Sequence, residues 1–269
     1  MPWTNEHLQW LVETDEEIVT ECGKQARVFR FDHDITNDEV MTNWAKHFRN
    51  HYCSDDQIDL LKAPGQSRSD FLLQMKFPNR SVAPGPSIRA GDFAEILVAD
   101  YLTYLHDYWV PRTRYDRKGV PNESTKGSDV LAFKYDENNP STDELLIYEV
   151  KAKLSNGVKP MLQEAITHSA KDEFRIGESL NGIKQRMLDK QEIDSVMKVA
   201  RFQNSVDSPY KVEYGAAAVC SESSYDIEVL SEASSADHPH ADSLQLIAIH
   251  GQELMSLAHA LYTRAANEI

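Results

Sequence analysis

Two stretches of the sequence carry the strongest fold signal: GSDVLAF at residues 127–133 and LLIYEVKAK at residues 145–153. Each is an apolar run of strand length. Residues 136–144 between them are rich in Asn, Pro, Ser and acidic residues, which favour turns. The pattern predicts two adjacent strands joined by a hairpin loop.

Two carboxylates and one ammonium group are expected to meet at one end of this hairpin. Strand side chains alternate between the two faces of a sheet, so Glu149 and Lys151 share one face. Asp129 lies close to that face if the register allows. Paired carboxylates suit a hard cation such as Mg²⁺. Such a cation activates a bound water and stabilises charge on a phosphate, while a nearby lysine positions or deprotonates the water or neutralises developing charge.

An Asp followed by Glu-X-Lys is the signature of the PD-(D/E)XK nucleases, and residues 129–151 resemble that superfamily. Ser128 stands where a Pro usually precedes the Asp. The resemblance implies an α/β, restriction-endonuclease-like core with a mixed central sheet flanked by helices. The alternative is an edge strand with ordinary surface charges.

A helix is predicted over residues 91–109, because apolar side chains recur there at helical spacing. Within it, Gly91 and Glu95 form a Gly-X-X-X-Glu pattern. By the same resemblance, a glutamate on the helix before the first core strand supplies or orients a metal ligand. A buried carboxylate needs a partner. For Glu95 that partner is a metal, or it is a nearby Lys or Arg if Glu95 lies at the surface.

Composition restricts the class of protein. The chain has 269 residues and 41% hydrophobic content, which suits one large or two small globular domains. It contains no apolar run of about eighteen residues, as a membrane span requires, and its first fifteen residues do not resemble a secretory signal. The three cysteines are widely spaced and form no zinc or disulfide pattern. We therefore expect a cytoplasmic, reduced protein with no membrane contact.

The formal net charge of −15 argues against a free-standing, high-affinity DNA binder. It allows a nuclease whose DNA is delivered by a partner. The sign reverses locally just ahead of Asp129, at Arg112, Arg114, Arg117 and Lys118. These cations indicate either a phosphate-binding surface or a solvated loop, and both interpretations stay open.

The best candidate boundary in the chain is Pro84-Gly85-Pro86. It divides an N-terminal α/β extension, residues 1–86, from a nuclease-like domain, residues 87–269.

Several further elements follow from periodicity and turn signals. We predict a short helix over residues 5–20, a first core strand over 110–115 and a helical run over 177–202. Two more strands are expected over 212–220 and 244–250.

Three segments also resemble a narrower family, HamA of the Hachiman antiphage system: residues 91–95 (GDFAE), 126–129 (KGSD) and 149–151 (EVK). The resemblance implies a DNA nuclease that works beside HamB, a superfamily 2 helicase. That helicase would sense aberrant or phage-associated DNA and release the nuclease on DNA, including host DNA.

The resemblance also implies the roles of single residues. Asp129 and Glu149 would hold Mg²⁺ or Mn²⁺, and Glu95 would add a ligand or a supporting contact. Lys151 would act on the attacking water or on the charge of the transition state. Two alternatives stay open: a non-catalytic adaptor that docks on a helicase, and a stand-alone restriction-type endonuclease.

Overall fold

The computed structural model describes residues 3–267. Within them the strands are β1 (Leu11–Glu13), β2 (Ile18–Val19), β3 (Gln25–Phe31), β4 (Val130–Lys134), β5 (Glu144–Lys153), β6 (Lys211–Ser221) and β7 (Gln245–Gly251). The α-helices are α1 (Asp38–Asn50), α2 (Asp55–Leu61), α3 (Arg68–Phe71), α4 (Gly85–Leu105), α5 (Met161–Ser169), α6 (Ile176–Asp189), α7 (Ile193–Arg201), α8 (Ile227–Ser231) and α9 (Leu254–Asn267). A π-helical turn covers Leu72–Lys76, and single 3-10 turns cover Glu6–Trp10, Pro140–Thr142, Asp172–Phe174 and Glu222–Ser224.

The strands form one mixed sheet in the order β1-β3-β7-β6-β5-β4, with β2 paired to β3 beside this path. Strands β3, β7, β6 and β5 run parallel. Strand β4 is antiparallel to β5, and β1 is antiparallel to β3, so both ends of the order carry an antiparallel strand. The predicted hairpin is therefore confirmed, with Val130 opposite Tyr148.

Helices bury both faces of this sheet, which explains why the central strands are apolar on both sides. Along β5, Leu146 and Tyr148 belong to the core that includes α1, α4 and α9. The alternate residues Leu145 and Ile147 belong to the core formed with α5, α6 and α7. The predicted α/β class, a mixed sheet flanked by helices, is confirmed.

Two predicted elements are wrong. Residues 110–115 form no strand: only Trp109 bridges Phe133 of β4, and Pro111 has no N–H to continue the pairing. Residues 5–20 form a 3-10 turn followed by β1 and β2 instead of a helix, because Leu11 pairs with Phe31 of β3 and tertiary pairing outweighs local helical spacing.

The predicted helical run over 177–202 is two helices, α6 and α7. Gln191, between them, takes a positive φ of 60° and breaks the run. The strands predicted over 212–220 and 244–250 are confirmed as β6 and β7.

The division at residue 86 stays a prediction. Helix α4 begins at Gly85, within the Pro-Gly-Pro segment. Described residues on both sides of that segment contribute to one sheet, because β3 pairs with β7. No helix within residues 3–267 is both long enough and apolar enough to span a membrane.

Candidate functional site

The β4–β5 hairpin brings Asp129 and Glu149 together. In the antiparallel register Val130 faces Tyr148, so the next pair outward is Asp129 and Glu149. The backbone N–H of Val150 donates to Asp129 Oδ2 over 3.0 Å, which ties the first carboxylate to the second strand. The arrangement expected from the two apolar runs is therefore present in the folded chain.

Side chains of α6 and of the turn before it hold the backbone that leads into Asp129. Gly127 has φ +94°, a conformation that favours glycine, and a Cβ there would come within 3.2 Å of Ser179 Oγ of α6. The Ser128 N–H donates to the same hydroxyl over 3.2 Å. The Ser128 hydroxyl donates to Asp172 Oδ1 over 2.9 Å, so two neighbouring side chains fix the residue before Asp129.

Glu149 is buried, with 5% of its surface exposed, and it is surrounded by charge. Its Oε1 accepts a hydrogen bond from the Lys151 ammonium group, and His168 Nδ1 of α5 lies 3.5 Å from the same oxygen. Burial, together with the negative charge of Asp129, raises the pKa of Glu149 to about 7. A cation at this point would offset both the burial of the Glu149 carboxylate and its repulsion by Asp129.

Lys151 carries an ammonium group at neutral pH. Burial lowers its pKa, but the carboxylates of Glu149 and Asp129 outweigh burial and raise the pKa above the usual value. The side chain can therefore donate a hydrogen bond and stabilise negative charge. It cannot accept a proton from water while it keeps these neighbours.

Glu95 reaches the site from α4, on the other face of the sheet. It is buried, and its Oε2 accepts hydrogen bonds from Arg114 Nε at 2.5 Å and from the Tyr115 hydroxyl. Arg114 Nη2 also donates to Asp129 Oδ1 over 2.7 Å. Glu95 and Asp129 are thus linked through one guanidinium group.

Burial raises the pKa of Glu95 to about 8, although Arg114 lowers it. Part of the remaining increase comes from the nearby Asp129 carboxylate. Glu95 therefore keeps a proton near neutral pH more readily than an exposed glutamate does.

Asp172 is a further acid at this point. It lies in the 3-10 turn after α5 and is fully buried. Its Oδ2 has no hydrogen-bond partner among the described residues. Burial first, and then the charge of Asp129, raise its pKa to about 6, while Lys151 lowers it.

Three of the four cations that precede Asp129 are largely buried and paired with acids, whereas Arg117 lies in an exposed pair at the surface. Arg112 pairs with Asp100 at 2.6 Å and Lys118 with Asp92 at 2.7 Å. The remaining two also face acids: Arg114 pairs with Glu95 and Asp129, and Arg117 pairs with Asp189. The charges of Arg112, Arg114 and Lys118 are therefore balanced within the protein, and Arg117 remains at the surface.

A cavity of about 70 Å³ lies between Glu95, Arg114 and Asp129 on one side and Ile183 and Arg186 of α6 on the other. A buried water needs roughly 10–15 Å³ on this measure, so the cavity has room for a few waters and is too small for a nucleotide. A phosphodiester would have to approach the acids from the solvent side.

The donor set of Asp129 and Glu149 fits a hard divalent cation such as Mg²⁺ or Mn²⁺. Both offer carboxylate oxygens, and within residues 3–267 no group donates a hydrogen bond to Glu149 Oε2. Burial first, and then the charge of Asp129, raise the pKa of Glu149, and a bound cation would favour its ionised form. Glu95 fits less directly, because Arg114 occupies the space between it and Asp129.

A second set of side chains could hold a metal ion. His47, His51 and Asp100 are buried, and their donor atoms lie within 4.8 Å of one another, an arrangement that no other group of His, Cys, Asp or Glu in residues 3–267 shares. Arg112 enters the same group, 2.6 Å from Asp100 Oδ1 and 2.8 Å from His51 Nε2. In this structure Arg112 supplies the positive charge that balances Asp100.

Sequence reasoning missed four residues that surround the candidate site. The sequence marks Arg114 only as part of a basic cluster, and it does not distinguish Tyr115, His168 or Asp172 from other residues. No local pattern marks them, because they reach the acids from three separate parts of the chain: the segment before Asp129, α5 and the turn after α5. The signal that could have found Arg114 is its position in a short segment between the Glu95 helix and Asp129, where a buried glutamate needs a cation.

Comparison with known proteins supports one assignment. No curated protein matches the chain. The protein-family model HamA matches residues 5–265, which is nearly the whole chain. The chain therefore belongs to the HamA family and is a component of the Hachiman antiphage system.

Proposed function

We propose that this chain is a metal-dependent DNA nuclease, the effector of Hachiman defence, and that a partner helicase of the HamB type regulates it in the bacterial cytoplasm. The observation that carries the proposal is the β4–β5 hairpin, which sets Asp129 opposite Glu149, with Lys151 bonded to Glu149. Two carboxylates and an ammonium group at one point are the set that phosphodiester hydrolysis needs.

Each side chain has a distinct task in this proposal. Asp129 and Glu149 hold Mg²⁺ or Mn²⁺ through carboxylate oxygens. Lys151, which is protonated, donates a hydrogen bond to the attacking water or to the phosphate and stabilises the charge that develops there. Glu95 holds Arg114, and Arg114 in turn orients Asp129.

The bound cation supplies a water of lowered pKa and a positive charge next to the phosphate. The surrounding residues shield these acids from bulk water: Glu95, Glu149 and Asp172 are all buried. Low exposure strengthens the interaction between the charged groups and the phosphate.

Partner control agrees with the charge distribution. The chain carries a net charge of −15, and the four cations ahead of Asp129 are paired with acids. Weak attraction for DNA is expected from such a surface. A helicase that binds DNA itself would supply the missing affinity and determine when DNA reaches the acids.

The test is cleavage of supercoiled plasmid by the purified chain together with its helicase, in Mg²⁺ or Mn²⁺. Glu149→Gln and Lys151→Met are expected to reduce the cleavage rate at least about 100-fold, the scale of losing one group that stabilises transition-state charge. Glu144→Gln is the matched control, because Glu144 lies on the same strand β5 at its opposite end. Its variant is expected to cleave normally.

The outcomes separate the alternatives. Cleavage that survives Glu149→Gln, or that does not need a divalent cation, removes the proposed site. An intact complex that shows no cleavage under any condition favours the non-catalytic adaptor. Sequence-specific cleavage by the chain without its helicase favours a stand-alone restriction-type enzyme.

A further inference from the structure

The segment of residues 171–175 between α5 and α6 is anchored to the candidate site. Its Asp172 is fully buried, and Asp172 Oδ1 accepts the hydroxyl hydrogen of Ser128, the residue before Asp129. The Arg175 N–H donates to the Asp172 carbonyl over 2.8 Å and closes a short turn. One side chain therefore connects this turn to the strand that carries a predicted metal ligand.

The same turn exposes a large aromatic side chain. Phe174 has 85% of its surface exposed, although it is two residues from the fully buried Asp172. No aromatic ring of the described residues stacks on it. A single exposed phenylalanine is common on protein surfaces, so Phe174 is informative only because its turn is anchored to the candidate site and carries two exposed cations.

Two cationic residues lie close to Phe174 in the sequence. Lys171 and Arg175 are exposed, and neither lies within 4.0 Å of a carboxylate in the part of the chain that is described. Both are close enough to the site to affect its groups electrostatically: Lys171 lowers the pKa of His168, and Arg175 lowers that of Asp172. The acid between them, Glu173, lies 3.9 Å from His240 Nε2.

We propose that Lys171, Phe174 and Arg175 form a contact for a nucleic-acid strand at the rim of the candidate site. The two cations would bind phosphates on either side of a nucleotide, and Phe174 would stack on its base. A cation–aromatic–cation surface of this kind binds single strands with little preference for sequence. The inference rests on the proposed nuclease function and adds where the substrate lies.

The contrast with residues 112–118 supports this position. Three of the earlier cations, Arg112, Arg114 and Lys118, are largely buried against acids, so they have little charge left for a phosphate. Lys171 and Arg175 are exposed and have no such partner within residues 3–267. Because Asp172 joins their turn to Ser128, a strand held on the turn would approach Asp129 and Glu149 from the solvent side.

The experiment places a photo-crosslinking side chain at the ring. The full chain with Phe174→p-benzoylphenylalanine is assembled with its helicase and a labelled single-stranded oligonucleotide, in chelator so that no cleavage occurs. A crosslink to the oligonucleotide is expected. Leu60→p-benzoylphenylalanine is the matched control, because Leu60 is also 85% exposed and lies on α2, and it is expected to give none.

A second measurement uses the affinity of the complex for the same oligonucleotide by fluorescence anisotropy. Phe174→Ala is expected to weaken binding about tenfold. Lys171→Gln with Arg175→Gln is expected to lower the slope of log affinity against log salt by about 1.4, since each phosphate contact on a single strand contributes about 0.7. Lys62→Gln, directly after α2, should leave the slope unchanged.

Each result has one meaning for the proposal. A crosslink from position 174 to the helicase, or to neither partner, overturns it, and the first of these identifies a docking surface for protein instead. Unchanged affinity and salt slope also overturn it. These readouts need no cleavage, so a failure of Glu149→Gln to abolish activity would remove the proposed catalytic site and leave this contact to be judged separately.

Discussion

The Ser128 hydroxyl donates a hydrogen bond to Asp172 Oδ1 over 2.9 Å. In the PD-(D/E)XK pattern a proline commonly stands at the position of Ser128, and proline has no hydroxyl or N–H to donate. Here the Ser128 N–H also donates to Ser179 Oγ. The departure from the usual motif is therefore matched by two contacts that a proline could not form.

Loss of the Ser128 hydroxyl should destabilise the protein. Ser128→Ala leaves the Asp172 carboxylate buried with no hydrogen-bond donor, so we expect the free energy of unfolding to fall by about 1–3 kcal/mol. Urea denaturation followed by circular dichroism measures the change. Ser141→Ala is the control, because that hydroxyl bonds only to exposed Asn139, and an equal effect of both variants would contradict the role of the buried bond.

Replacement of Arg114 should have a pH-dependent effect. Arg114→Met removes the cation that lies between Glu95 and Asp129, and breaking a buried pair costs about 3–5 kcal/mol. The loss is expected to be larger at pH 9 than at pH 6, since the pKa of Glu95 is raised to about 8 and the carboxyl is mostly neutral at the lower pH.

A divalent cation should partly replace the missing guanidinium. We expect Mn²⁺ to raise the melting temperature of Arg114→Met more than that of the unmodified chain, because without the guanidinium the cation balances the charge of Asp129 alone. Differential scanning calorimetry with and without Mn²⁺ measures both shifts. Equal shifts in the two proteins would show that Arg114 and the cation do not share this position.

Cation binding should strengthen as pH rises towards 7. Burial and the Asp129 charge raise the pKa of Glu149 to about 7, and the carboxyl must lose its proton to act as a ligand. Below that pH we expect the affinity for Mn²⁺ to fall by up to about tenfold per pH unit. Isothermal titration calorimetry at several pH values tests this, and Glu149→Gln should bind weakly with little pH dependence.

The same shift has the opposite sign for stability without metal. The folded-state pKa of Glu149 lies above its unfolded value of 4.5, so its stabilising contribution is complete below pH 4.5 and is lost as pH rises to about 7. In chelator, Glu149→Gln should therefore gain stability relative to the unmodified chain over this interval, by at most about 3 kcal/mol. A constant difference across the interval would contradict the raised pKa.

Asp100 should be a structural acid. It accepts hydrogen bonds from His7 and His47 and pairs with Arg112, all in the buried interior. Although burial raises its pKa, His47 and Arg112 outweigh this and hold it well below the usual range, so its contribution is present at neutral pH and is lost only at acidic pH.

Asp100→Asn leaves Arg112 without its buried counter-ion, and we expect a loss of about 3–5 kcal/mol of unfolding free energy at pH 7. Guanidinium denaturation measures it. Asp59→Asn, which breaks the exposed pair with Arg68, should leave the unfolding midpoint nearly unchanged. If the two substitutions had the same effect, the buried network would not be stabilising.

Local sequence patterns were sufficient to predict the hairpin and the candidate acids that it carries. Two apolar runs separated by turn residues favour a hairpin, and the two-residue period of a strand determines which side chains share a face with Glu149. Helical spacing likewise located α4 and placed Glu95 on it. These features depend on neighbours within a few residues, so local patterns reveal them.

The pairing of the charged side chains around the site depends on tertiary contacts and could not be predicted from the sequence. Arg114 could face a phosphate or a carboxylate with the same local sequence, and its choice of Glu95 and Asp129 depends on the packing of α4 against the sheet. The Ser128–Asp172 bond joins residues 44 positions apart, and β3 joins the sheet beside β7, more than 200 residues later. Such contacts form because buried polar groups and strand edges need hydrogen-bond partners, and a local sequence pattern does not indicate which distant residue supplies them.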